Sequence, residues 1–286
     1  MVSIEALRQS LTEVDRANND TWYAGLDDRK KAEASFHDGM RDRTRLKDPA
    51  NDTYEEFFTN HRFYRTAQLS REYFEGWIDR HVRDRVVLDF ACGDGNTSVR
   101  AAQQGAKLVI GIDISATSIA NARSNAARAG VAANTFFLRG DCENTRLPAG
   151  CADVIICAGV LHHLDLDYVY PELARVLAPG GKVIAFEALD YNPLIKLYRM
   201  RTPHLRTEWE KAHILSLKDV RRARRYFRIG DMRYFHLTSM LGLWAPRLMP
   251  LFNGIDRALT RVAGVQLMAW MFTFELLSRD PGRPQS

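Results

Sequence analysis

Val87-Leu88-Asp89-Phe90-Ala91-Cys92-Gly93-Asp94-Gly95 decides the fold. An apolar run climbs to an acid and then breaks into a Gly-x-Gly bend. Asn96-Thr97-Ser98 follows, with Asn96 suited to cap a helix. This is the strand, loop and helix that open a nucleotide-binding α/β unit. The two glycines let the backbone bend tightly and approach a ligand closely. A third glycine is missing where a dinucleotide loop wants one, and Asp89 would repel a pyrophosphate. A cationic ligand suits the bend better.

Working outward, strands and helices alternate from Arg85 onward. Strands are expected at 86–90, 107–112, 135–138, 154–158 and 182–186, and helices at 97–104, 115–129 and about 163–177. Pro179-Gly180-Gly181 reads as the turn between the last helix and its strand. Such alternation gives a doubly wound, mostly parallel sheet with ligands at the carboxyl ends of its strands. A polar, helical stretch interrupts at about 191–226, and two β-rich runs return at 227–237 and 268–277.

Residues 1–82 read as helices without strands: an N-terminal cap and oligomerisation region before a core at 83–286. Ile4, Leu7, Leu11 and Val14 form a narrow seam on a helix entered through Ser3, free to dock on its own body or on another copy. Amphipathic stretches follow at 27–40 and 68–81, with a polar loop at 47–53 between them; residues 280–286 read as a disordered tail.

At 286 residues the chain can bury a substantial core as one large domain, or one domain with a cap. A net charge of +5, its basic residues interleaved with acids, gives no argument for nucleic acid. The reading is of a cytoplasmic protein, with neither a signal peptide nor an apolar run long enough to span a bilayer. Cys92, Cys142, Cys151 and Cys157 make no CxxC pair, so buried free thiols are expected and no metal. Arg221-Arg222-Ala223-Arg224-Arg225 reads as a solvated helix face; the alternative is a peripheral membrane foot beside the apolar run 240–252.

Two further acids stand at strand ends. Asp113 lies about twenty residues beyond the bend, where an acid accepts ribose hydroxyls, a device dinucleotide enzymes share. Asp141, after Gly140, can accept from an adenine amino group. The small residues Ala158-Gly159 leave room beside a reactive atom before Val160-Leu161-His162-His163. Three acids around such a bend fit S-adenosylmethionine, which carries an amine and a sulfonium.

Asp89–Gly95, Asp113, Asp141, the 153–163 segment and Leu177-Ala178-Pro179-Gly180-Gly181 together resemble the class I S-adenosylmethionine-dependent methyltransferases. The likeness is nearest to the ubiquinone/menaquinone-biosynthesis-like group and covers roughly residues 60 to 190. It implies a Rossmann-like sheet of seven strands, the last two an antiparallel hairpin. It also implies that Asp89, Ala91, Cys92, Gly93 and Gly95 hold the methionine part, Asp113 and Ile114 the ribose, Asp141 and Cys142 the adenine, with Ala158 and Gly159 beside the sulfur. In the segment Asn60-His61-Arg62-Phe63-Tyr64, either Tyr64 or Arg62 would reach the methionine carboxylate, the alternative being a packed aromatic with a solvated Arg.

Candidate bases are His162 and His163, whose pKa range suits proton transfer near neutrality, and Glu187 at the end of the fifth strand. The excess of Trp, Phe, Tyr, Leu and Met outside the sheet points to a lipophilic acceptor: a quinone, a polyketide or a terpenoid. Teleocidin-type terpenoid C-methylation in secondary metabolism is one specific case. Carbon and oxygen are both open as the acceptor atom. Two rivals stand beside this reading. An NAD(P)-dependent oxidoreductase would share the bend and Asp113 but leave Asp141 and the late hairpin unexplained. A non-catalytic relic would bind S-adenosylmethionine and turn over nothing.

Overall fold

The computed structural model describes residues 3–42 and 61–279, except the side chains of His61 and Arg62. The expected loop at 47–53, the tail at 280–286 and the proposed contact of Arg62 lie outside the described residues.

Helices come first: α1 (Ile4–Ala17), α2 (Asp20–Ala24), α3 (Asp28–Arg41), α4 (His61–Tyr64) and α5 (Gln68–His81). Ser3 caps α1 by accepting the Ala6 amide at 3.1 Å, as its position suggests. The seam buries Leu7 and Leu11 completely in the core of this same chain, with Ile4 and Val14 half-covered.

The core alternates as β1 (Val86–Phe90), α6 (Asn96–Gln103), β2 (Leu108–Asp113), α7 (Ala116–Arg128), β3 (Thr135–Arg139), β4 (Ala152–Ala158), α8 (Leu166–Val176) and β5 (Leu177–Ala188). The insertion follows as α9 (Pro193–Arg201), α10 (Glu208–Ala212) and α11 (Leu217–Ala223), then β6 (Arg228–Phe235), α12 (Met249–Leu259) and β7 (Met271–Leu277). One sheet of seven strands runs β3-β2-β1-β4-β5-β7-β6. The first five pair in parallel, while β7 lies antiparallel between β5 and β6, the late hairpin.

Both faces of the sheet are covered, which is why its strands are apolar almost throughout. On β1, Leu88 and Phe90 join the core under α1 and α8, whereas Val87 faces Phe74, Trp77 and Ile78 of α5. Order reverses between β1 and β4, so the crevice opens where β1, β2 and β4 end.

Three local readings need correction. Asn96 does not cap α6: Gly95, left-handed at φ 73°, holds the cap position and makes no side-chain cap hydrogen bond. The helix expected from 163 begins at Leu166, because Leu161–His163 forms a separate 3-10 turn and Asp165 caps the helix instead. Pro179-Gly180-Gly181 lies inside β5, beside a register shift between Ala152 and Val154, and not before it. All four cysteines are buried free thiols. The arginines of the 221–225 run are exposed, with Arg222 reaching Asp167. No helix among the described residues is long and apolar enough to cross a membrane.

Candidate active site

The bend after β1 is pinned from beneath. The Cys92 amide donates to the Ile112 carbonyl at 2.9 Å, and the Gly93 amide to Asp113 Oδ2 at 2.8 Å. Gly93 has φ 53°, and Ala91 holds φ 55° without a glycine's freedom, an uncommon conformation that functional loops retain. Gly95 is required for packing: a Cβ there would stand 2.8 Å from that of Ala122. The uncapped N-terminus of α6 therefore opens beside the bend with amides to offer.

A cleft of about 630 Å³, mouth included, is lined by Ala91, Asp113, Ile114, Asp141, Cys142, Ala158 and Gly159 among others. Seven of the residues assigned to the cofactor from sequence thus meet on one surface. Asp113 accepts the Gly93 amide through one oxygen and the Ser115 amide through the other, at 2.9 Å. Asp141 accepts the Glu143 amide at 2.8 Å and Lys30 Nζ at 2.8 Å.

Asp89, Cys92, Gly93 and Gly95 form the floor behind this surface rather than its lining. Asp89 is 2% exposed and accepts the Ser98 hydroxyl at 2.6 Å. Burial raises its carboxyl to about 6 against the pull of the Ser98 hydrogen bonds, and the charge of Asp113 adds to the rise. Tyr64 is misplaced by the sequence reading. It does not line the cleft but tilts on Trp270, ring centroids 5.1 Å apart.

The sequence reading missed the other wall. One face of α3 lays Arg29, Lys30, Glu33, His37 and Arg41 along the cleft. Arg29 reaches Glu143 at 2.7 Å, Lys30 bridges Asp141 and Glu143, and Arg41 donates to Ser118 at 2.8 Å above Gly93. The spacing 29/30, 33, 37 and 41 is a helical stripe that could have been found, but a charged stripe reads first as solvated. Burial, with the charges of His163 and Arg41, holds the His37 imidazole well below its ordinary range.

The candidate bases gather at the ends of β4 and β5. Glu187 is fully buried; its Oε1 accepts the amides of Val160 at 2.9 Å and Leu161 at 2.8 Å. Its Oε2 lies 2.7 Å from His162 Nδ1. A carboxylate so occupied cannot also take a proton from an acceptor, so Glu187 orients His162 rather than touching substrate. It fixes the ring, whose Nε2 lies 3.9 Å from Glu210 Oε1. Burial raises the Glu210 carboxyl, against the charges of His163 and Arg206. His163 turns the other way: it lines the cleft, with Nδ1 3.1 Å from Glu33 Oε2. The cleft is therefore lined by the strand-end carboxylates Asp113 and Asp141, by the α3 side chains and by His163, next to the Glu187-braced His162.

Comparison with known proteins places this geometry. Residues 87–181 match the family described as a methyltransferase domain. Over 116 residues the chain is 34% identical to a ribosomal protein L11 methyltransferase of Haemophilus influenzae, covering 41% of this chain and 37% of that one. It is 33% identical to the 27-O-demethylrifamycin SV methyltransferase of Amycolatopsis mediterranei over 109 residues, 38% of this chain and 40% of that protein. The chain thus spans well under half the length of these curated relatives. Geranyl diphosphate C-methyltransferase of Streptomyces coelicolor, solved with magnesium, geranyl diphosphate and S-adenosyl-L-homocysteine, shares the fold. Its TM-score is 0.58 at 15% identity, over 89% of this chain and 100% of that one. Residues 87–181 thus match a methyltransferase domain, and the seven-stranded sheet built around them has the fold of a solved methyltransferase.

Proposed function

We propose that this protein transfers a methyl group from S-adenosylmethionine to a carbon or oxygen of a lipophilic small molecule. The observation that carries the reading is that Ala91 of the bend and the strand-end carboxylates Asp113 and Asp141 line one cleft with Val160 and His163, next to which the His162–Glu187 couple is held. When bound, the cofactor supplies an electrophilic methyl on a sulfonium. Ala91, the bend and the amides of α6 would hold its methionine part, Asp113 and Ile114 its ribose, and Asp141 with Cys142 its adenine. Asp89 places negative charge beneath a cationic ligand.

Methyl transfer needs in-line alignment more than it needs acid–base help, and a water-poor crevice does not penalise a step that disperses the sulfonium charge. Where the acceptor must lose a proton, His162 takes it at Nε2, with Glu187 fixing the tautomer and steadying the imidazolium.

A lipophilic acceptor is supported by the apolar side chains left exposed on α9 and the 240–252 segment. Leu194, Met200 and Trp244 are each more than 70% exposed. Phe63 meets Tyr198 at 5.3 Å and Trp244 at 6.4 Å, so these regions adjoin. Secondary metabolism in the cytosol is the setting this proposal implies. As a quaternary reading we keep exchange of α1 between copies through the Asn18-Asn19-Asp20 joint. An unchanged light-scattering mass after removal of residues 1–18 would refute it.

The test is a labelled-methyl assay against quinones, polyketides and terpenoids beside a sugar and an amino acid. Label should enter the lipophilic set; turnover of the polar compounds alone would refute the substrate class. Cofactor binding without any turnover would favour the relic. The oxidoreductase rival draws no support from the matched family.

A further inference from the structure

Glu33 and His37 stand one helical turn apart on α3, and His163 closes the 3-10 turn after β4. All three line the cleft. Glu33 Oε2 lies 3.1 Å from His163 Nδ1 and 3.7 Å from His37 Nε2. The donor atoms of the three residues fall within 4.8 Å of one another. Two ligands of one tetrahedral ion, each at about 2.0–2.2 Å, stand about 3.3 Å apart, between the two observed separations.

His37 is the telling member. Its Nδ1 is buried without a hydrogen-bond partner among the described residues, and its Nε2 is beyond hydrogen-bond reach of Glu33. An ion held between Glu33 and His163 would meet His37 at Nε2, which makes no hydrogen bond to Glu33. Glu33 is already braced for this: Thr207 donates to Oε1 and leaves Oε2 for the ion.

We propose that Glu33, His37 and His163 form a divalent transition-metal site that fastens α3 to the loop after β4. Two imidazoles and one carboxylate suit zinc, cobalt, nickel or iron and disfavour magnesium, which prefers oxygen ligands. Three protein ligands leave a coordination position open toward the cleft. A second overlapping cluster, His162 with His163 and Glu210, is less suitable. His162 Nδ1 is held by Glu187 at 2.7 Å, and Glu210 Oε1 pairs with Arg206 at 3.3 Å. The site departs from the sequence expectation of no metal, because positions 33 and 37 meet 163 only in the fold.

The test uses the tag-free full chain, stripped with chelator and titrated with Co²⁺, Zn²⁺ and Mg²⁺ by calorimetry and visible absorption. One Co²⁺ and one Zn²⁺ should bind per chain, cobalt with the absorption of a low-coordinate ion, and Zn²⁺ more than about tenfold tighter than Mg²⁺. Glu33→Gln and His37→Gln should each weaken Zn²⁺ binding by about 10–100-fold, while His213→Gln, on an exposed residue, should not. Absence of stoichiometric binding by the unmutated chain, or binding retained in His37→Gln, overturns the proposal. Neither readout needs methyl transfer, so a failed site leaves the methyltransferase reading intact, and cobalt bound to an inactive enzyme leaves the site intact.

Discussion

At the scale of the residue, Asp89 links cofactor binding to pH. Its carboxyl is raised to about 6 in the fold, above the ordinary 3.8, chiefly by burial. A raised carboxyl favours the fold while protonated, so this contribution is complete below the unfolded value and is lost as pH rises through about 6. Asp89→Asn should therefore be more stable than the parent at pH 7.5 by about 1–3 kcal/mol in urea melts, with the difference vanishing in acid. The same variant should bind S-adenosylmethionine more weakly at pH 7.5. A constant stability difference across pH would remove the argument. For the base, His162→Ala should lower kcat on an acceptor that must lose a proton by about 10²–10⁴-fold, with the dissociation constant of S-adenosylhomocysteine within about threefold of the parent. An unchanged kcat would exclude His162. These residues were legible because local chemistry marks them: an acid at a strand end, a glycine where the chain must turn. Glu187 was legible as a site residue but not in its role, since the amides of Val160 and Leu161 that occupy it come from 26 and 27 residues away.

Among the elements, α3 separates what local pattern can reveal from what it cannot. Periodicity marks the helix, but the meaning of its charged face comes from acids more than a hundred positions onward: Lys30 with Asp141, Arg29 with Glu143. A stripe of Arg, Lys and His becomes a cleft wall only when those acids face it. α1 is the opposite case, for its seam reads directly as a buried face. Leu11, fully buried, should cost about 2–5 kcal/mol of stability when replaced by Ala, measured by denaturant unfolding, with S-adenosylhomocysteine affinity unaltered. A loss under about 0.5 kcal/mol would mean that α1 does not pack on this core.

Across the whole molecule, the doubly wound parallel sheet followed from the alternation of strands and helices, whereas the joint between the late hairpin and the N-terminal helices did not. That joint is His236, fully buried beyond β6, 2.8 Å from Ser70 of α5 through Nε2 and 2.8 Å from Ser239 through Nδ1. Burial lowers its imidazole to about 4, against the charge of Asp256. The neutral ring supports the fold above 6.5, and that support is lost as pH falls from there through about 4. His236→Asn should flatten the acid limb of stability by about 2–3 kcal/mol, opposite in sign to Asp89→Asn over the same range. An unaltered acid limb would show that His236 is not buried as described. The central claim is that the acids around the bend select an amine-bearing, sulfur-linked adenosine over a pyrophosphate, and titration calorimetry tests it most directly. Saturable one-to-one heat with S-adenosylhomocysteine and none with NADH is the expected result; tight NADH binding with silence toward S-adenosylhomocysteine would contradict the account.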